Sequence, residues 1–174
     1  MTHALDRKRY RLLTSSAMFA AIIALTTAYL FHIPIGANGG YVHLGDAFIY
    51  LAASVLPWPY ACAAAAIGGG LADLLSGAPI WLPATILIKP LNALCFSCKG
   101  ERLLTRRNAL MTILSGVITM VGYSVAEAIL LGDWRIAIFG LFTSGLAQPV
   151  GSAVVYLVMA GALDRMELKK RLFL

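Results

Sequence analysis

The chain has 174 residues, 60% of them hydrophobic and 13% charged, with a mean hydropathy of +0.80. Soluble domains carry about a quarter charged residues, so this composition excludes an ordinary soluble domain and describes a chain that is almost all bilayer-spanning helix and short connections. It leaves no space for a separate ATPase domain, and the net charge of +6 sits at helix ends rather than in a nucleic-acid-binding patch.

Taken in order, the basic segment Arg7, Lys8, Arg9 and Arg11 precedes an apolar run from Leu12 to Ile33. The run is too long for a signal-peptide core and is about the length that crosses a hydrocarbon layer of about 30 Å, with Pro34 as its stop. Ala17, Ala21, Ala24 and Ala28 recur along one face. Small residues at this spacing let helices approach closely, either within the chain or against a partner's helix. A glycine-rich loop, Ile35 to His43, follows without any lysine or arginine. Asn38, Tyr41, His43 and Asp46 there supply hydrogen-bonding groups in an otherwise apolar region, and the stretch is read as a gate over a binding site. The apolar segment 44–56 is short for a span and needs tilt or local thinning to cross. Pro57-Trp58-Pro59 predicts a rigid turn.

Residues 60–75 form an alanine-rich third span with Gly68-Gly69-Gly70 and Asp73 in its second half. Residues 82–96 form a fourth, with Pro83 in its first turn, Lys89 inside it and a kink expected at Pro90. Residues 108–131 and 136–163 complete the set, carrying Tyr123 and Glu127 in one and Gln148-Pro149 in the other. Of 14 Lys and Arg, four lie in each of three segments, at the N-terminus, at 99–107 and at 165–171. The positive-inside rule then gives an all-α membrane protein of six transmembrane helices, a single integral domain with both termini in the cytoplasm.

Ionisable groups at membrane depth are costly and mark function. Here they are Asp46, Asp73, Lys89 and Glu127, with His43 at the rim, all on the outer half of the map. Thr85, Lys89 and Asn92 share a face at i, i+4 and i+7, and Tyr123 and Glu127 at i, i+4. With Gln148 they suit a small, flat, polar molecule bearing an aromatic ring. Other readings stand beside this one. Asp73 and Lys89 flank a short hairpin and can pair structurally. Glu127 can be a protonated carboxyl bonded within the bundle, His43 can order its loop, and Asp46 can cap the second helix. Cys95 and Cys98 form a CxxC at helical spacing without a second pair, which reads as buried structural cysteine rather than a metal site. No P-loop, HExxH, nucleophile elbow or dinucleotide fingerprint is present, so no enzyme activity, cofactor or metal is expected.

Tyr41-Val42-His43-Leu44-Gly45-Asp46-Ala47, Gly68-Gly69-Gly70-Leu71-Ala72-Asp73-Leu74-Leu75-Ser76-Gly77 and Pro83-Ala84-Thr85-Ile86-Leu87-Ile88-Lys89 resemble, in order and spacing, the substrate-binding S components of energy-coupling factor (ECF) vitamin transporters. The Ala17-Met18-Phe19-Ala20-Ala21 run is similar to that family's AxxxA docking motif. The resemblance implies a six-helix S-component bundle in the bacterial cytoplasmic membrane that binds a vitamin-like micronutrient from outside. It implies as partners a transmembrane coupling subunit and two cytoplasmic ATPases, with Ala17 and Ala21 facing the coupling subunit. The ligand would sit between the loop after the first helix and the outer parts of helices four to six. Pro90 departs from the family pattern, where a small residue is expected after the lysine. Riboflavin, pyridoxine, a thiamin precursor and a queuosine precursor all fit such a pocket. A self-sufficient proton-coupled carrier is the alternative function.

Overall fold

The structure, a computed structural model, describes residues 2–30, 33–35, 40–135, 138 and 146–173. Its elements are α1 (Thr2–Ala28), β1 (Ile33–Ile35), β2 (Gly40–Val42), α2 (Asp46–Val55), α3 (Trp58–Leu75), a 3-10 turn (Pro79–Trp81), α4 (Leu82–Cys95), α5 (Arg106–Leu131), α6 (Ala147–Arg165) and α7 (Leu168–Phe173). The 6–28 part of α1, α5 and α6 are long and apolar enough to cross a bilayer. α2 and the 79–95 segment are shorter apolar helices. The exposed faces of α4, α5 and α6 carry Leu87, Leu91 and Leu94, then Ile113, Val117 and Val121, then Val150, Val154 and Val158. Apolar residues at helical spacing with nothing packed on them make a surface matched to lipid rather than water.

Several boundaries differ from the sequence reading. α1 ends at Ala28, before Pro34, because the chain turns into a two-stranded hairpin. Ile33 pairs with Val42 and Ile35 with Gly40, so the segment expected as an open loop is in part antiparallel sheet. Proline is tolerated in it because this two-stranded ribbon is all edge. Pro57 and Pro59 do not make a free turn. Pro57 is the N-cap of α3 and Pro59 lies in its first turn, where its missing N–H is no loss. Cys95 is the last residue of α4, which places Cys98 beyond the helix and breaks the expected helical spacing. All three cysteines are free.

The second segment, expected over 44–56, is α2, Asp46–Val55. α2 is ten residues long, roughly 15 Å at 1.5 Å per residue and about half the hydrocarbon thickness. Eight of its residues are buried, from Asp46 and Ala47 to Ala53 and Ser54. It is a central strut with little face left for lipid. Around it, Tyr50 stacks on Phe96 with ring centroids 4.6 Å apart and meets Tyr156 edge-on at 5.8 Å. α1 packs chiefly on α3, and α3 on α4. Gly68 makes the first contact possible, since a Cβ there would stand 2.7 Å from the Ala20 carbonyl oxygen and 2.8 Å from Ile23 Cβ.

The four alanines of α1 do not share one environment. Ala24 and Ala28 are buried, whereas Ala17 and Ala21 are exposed, so the stripe is covered near the hairpin and open toward the N-terminal half.

Candidate functional site

α4 brings the polar cluster into the bundle. Thr85, Lys89 and Asn92 are 1%, 2% and 0% exposed, as their shared helix face requires. Gly69 of α3 lies directly behind them: a Cβ there would stand 2.8 Å from Thr85 Cγ2 and 3.1 Å from Lys89 Cγ. Glycine therefore lets α3 close against the back of the lysine stem.

Lys89 Nζ donates to Asp46 Oδ1 at 2.6 Å. The other carboxylate oxygen of Asp46, Oδ2, accepts from Gln148 Nε2 at 2.8 Å. Asp46 is the first residue of α2, where the positive end of the helix dipole favours a carboxylate. One carboxylate thus ties α2 to α4 and α6. The Lys89 ammonium also lies 5.0 Å from the centroid of the Tyr123 ring, within cation–π range. The Tyr123 hydroxyl and Thr85 Oγ1 are hydrogen-bonded at 2.9 Å, and the Trp81 ring is 6.1 Å from that of Tyr123. Deeper on α4, Asn92 Nδ2 donates to Thr119 Oγ1 at 2.7 Å. Asn92 Oδ1 and Trp81 Nε1 are buried without a hydrogen-bond partner among the described residues.

These contacts revise two of the structural alternatives. The ion pair of Lys89 is with Asp46, not with Asp73, because α2 inserts its first turn against α4 while Asp73 lies in the last turn of α3. Asp46 does not cap α2. Gly45 is the N-cap residue and makes no side-chain cap bond, and the carboxylate is engaged across the bundle instead. His43 is buried and its Nδ1 accepts from the Gly45 amide at 3.0 Å, which orders the turn into α2. Gln148 stands in the first turn of α6. Glu127 lies one turn beyond Tyr123 on α5 and is half-buried. Tyr41 is on β2, paired with Pro34, and Asn38 lies outside the described residues. Among the described residues no group of histidine, cysteine or acidic side chains is arranged to hold a metal ion.

Sequence reasoning missed a second polar network at the basic end of the bundle. Asn108 Nδ2 donates to the Ser97 and Leu103 carbonyls at 3.0 Å each and to Ser54 Oγ at 3.3 Å. Ser54 Oγ and the Tyr156 hydroxyl are 2.9 Å apart. Asp164 accepts from the Leu103 and Leu104 amides at 2.7 and 2.9 Å. Lys169 Nζ donates to the carbonyls of Ser54, Cys98 and Gly100 at 2.8, 2.8 and 2.6 Å. A lone asparagine in the first turn of an apolar helix is the one local signal, since Thr105 caps that helix by accepting from the Asn108 amide at 3.1 Å.

A family model described as "ECF-type riboflavin transporter, S component" matches residues 8–165. The chain belongs to that family. An S component is a membrane protein that binds a small-molecule substrate as part of an ECF transporter, and its family is not an enzyme class. This S component is also 28% identical over 147 residues to a Pyrococcus woesei protein described as "Uncharacterized protein in gap 3'region", a match covering 84% of the present chain and 94% of the relative. The family match runs from the basic segment before the first span through Asp164 and Arg165, so it takes in both polar networks of the S component up to the start of α7.

Proposed function

We propose that this S component is the high-affinity substrate-binding subunit of an ATP-driven importer, with riboflavin as its first candidate substrate and pyridoxine, thiamin-precursor and queuosine-precursor compounds as the alternatives. The observation that carries the reading is the Asp46–Lys89 ion pair, fully buried beside Gln148, Tyr123 and Trp81. Replacing a buried ion pair with apolar residues is often neutral or stabilising, so its presence is explained better by recognition than by stability. Among the described residues Trp81 Nε1 is a donor without a partner in the aromatic pair with Tyr123, and Asn92 Oδ1, deeper on α4, is an acceptor without one. That combination suits a flat heteroaromatic ring with both donor and acceptor edges. Asn38, Tyr41 and His43 belong to the cover, and Asp46, Asp73, Thr85, Lys89, Asn92, Tyr123, Glu127 and Gln148 to the walls. The riboflavin preference comes from the description of the matching family.

The transport reading extends the topology to six spans in a single integral domain of a bacterial cytoplasmic membrane, with both termini inside and the hairpin outside. In it α2 counts as the second span, although it reaches only half-way and is completed by the hairpin. A transmembrane coupling subunit and two cytoplasmic ATPases would supply the energy, and the exposed Ala17 and Ala21 would receive the coupling subunit.

The test is direct. Protein purified in detergent is titrated with riboflavin, following quenching of flavin fluorescence, and ligand carried through purification is identified by mass spectrometry. A riboflavin dissociation constant below about 1 μM, the range of about −8 kcal/mol or stronger, supports the reading. Absence of flavin binding together with retention of another micronutrient would reassign the substrate. Failure of every such compound to bind folded protein would remove the function.

A further inference from the structure

Both ends of α2 are held by a buried lysine. At its first residue Lys89 holds the Asp46 carboxylate, and in its last turn Lys169 holds the Ser54 carbonyl at 2.8 Å. We propose that Lys169 is a positioning residue for the binding site, acting through α2 from the opposite end of the bundle.

The geometry of Lys169 is specific. An ammonium has three N–H donors, and here each has a backbone carbonyl: Ser54 on α2, and Cys98 and Gly100 in the connection after α4. The residue is 4% exposed, while Lys170 beside it is half-exposed and pairs at the surface with Glu101 and Glu167. The last carbonyls of a helix lack intrahelical partners and carry the negative end of its dipole, so a cation there completes α2. The chain bends to deliver it. Glu167, between α6 and α7, takes a φ of 52°, a left-handed conformation disfavoured for a residue with a Cβ. Burial pushes the Lys169 pKa below the usual lysine value. The contact is thus held by its three carbonyl bonds against the desolvation of the charge, and in this proposal it acts as a latch.

The same helix that leads into α7 reaches the other end of α2. α6 supplies Gln148 to the Asp46 carboxylate and Tyr156 to Ser54 Oγ. A buried ten-residue helix packed on all sides moves as one body, so release at Ser54 displaces Asp46 and with it Lys89. By linkage, a ligand that fixes Asp46 must equally tighten the Lys169 end.

The substrate arm of the test rests on the riboflavin reading above; the thiol arm does not. In a Cys62→Ser, Cys98→Ser background the remaining thiol is Cys95, 8% exposed at the end of α4 beside the latched connection. Its labelling by a membrane-impermeant maleimide is timed on monodisperse protein in detergent. Lys169→Met should speed labelling about tenfold and speed riboflavin dissociation by a similar factor, while Lys169→Arg, which keeps the charge and donors, should stay close to the parent. Saturating riboflavin should slow Cys95 labelling in the protein with Lys169 intact, a measurement that needs no destabilised variant. Parent-like labelling and parent-like riboflavin release in folded Lys169→Met overturn the proposal, as does riboflavin binding that leaves Cys95 labelling unchanged with Lys169 intact. If riboflavin does not bind at all, the substrate reading fails, and the ligand-free labelling rates of Lys169→Met and Lys169→Arg still decide whether the latch exists.

Discussion

Lys89 and Asp46 are 43 positions apart in sequence and 2.6 Å apart in the structure, with neither side chain more than 2% exposed. Removing either partner leaves a buried charge without its counter-ion. Lys89→Met or Asp46→Asn alone should lower stability by about 3–5 kcal/mol, read as a fall in the thermal unfolding midpoint in detergent. The double variant Asp46→Asn/Lys89→Met should recover much of that stability while binding riboflavin poorly. A double variant as unstable as either single one would show that the pair is not the relevant interaction.

Gly68 and Gly69 are adjacent, yet their alanine variants should separate. At Gly68 a Cβ meets the backbone of α1, which cannot give way locally, so Gly68→Ala should destabilise by about 1–3 kcal/mol. At Gly69 it meets the side chains of Thr85 and Lys89. Gly69→Ala should therefore weaken riboflavin binding more than it lowers the melting temperature. Melting and titration of both variants give the comparison, and identical profiles would contradict it.

Ala17 and Ala21 are exposed, so bulky residues fit there without disturbing the bundle. Ala17→Trp and Ala21→Trp should leave riboflavin affinity within about threefold of the parent while abolishing uptake in cells, because close helix approach by a partner is blocked. Equal loss of binding and uptake would place this face in the fold itself.

Cysteines introduced at Gly39 or Ala78 in a cysteine-free background should react with an impermeant reagent added to intact cells. One at Arg102 should not, since it belongs to the 99–107 segment with its four basic residues. Labelling at Arg102 from outside would invert the map.

Much of the candidate site is legible in the amino-acid sequence. Thr85, Lys89 and Asn92 fall on one face by helical spacing alone, and they do share a buried face. The partner of Lys89 is not legible there. Sequence proximity favours Asp73, across a short connection, but pairing depends on how deeply α2 inserts, which is a tertiary property. The burial of α2 is not legible either: a short apolar run reads as facing lipid, and only the tertiary fold shows eight of its ten residues buried. The basic-end network stays hidden for a similar reason. Lys169 looks like any cytoplasmic lysine next to a membrane, and only the bend at Glu167 turns it inward. Asn38 and most of the segment between α5 and α6 lie outside the described residues, so those expectations stand as proposals.

The brevity of α2 also constrains how the protein is made. A ten-residue segment headed by an aspartate has too little apolar length to partition into a bilayer unaided. When it leaves the ribosome its counter-ion does not yet exist, since Lys89 is 43 residues further along the chain. On the six-span topology proposed above, the segment would be held beside α1 or at the membrane surface until α4 brings Lys89 to it. On that topology insertion would be a cooperative event of several helices, with the ion pair formed only once the central strut is in place.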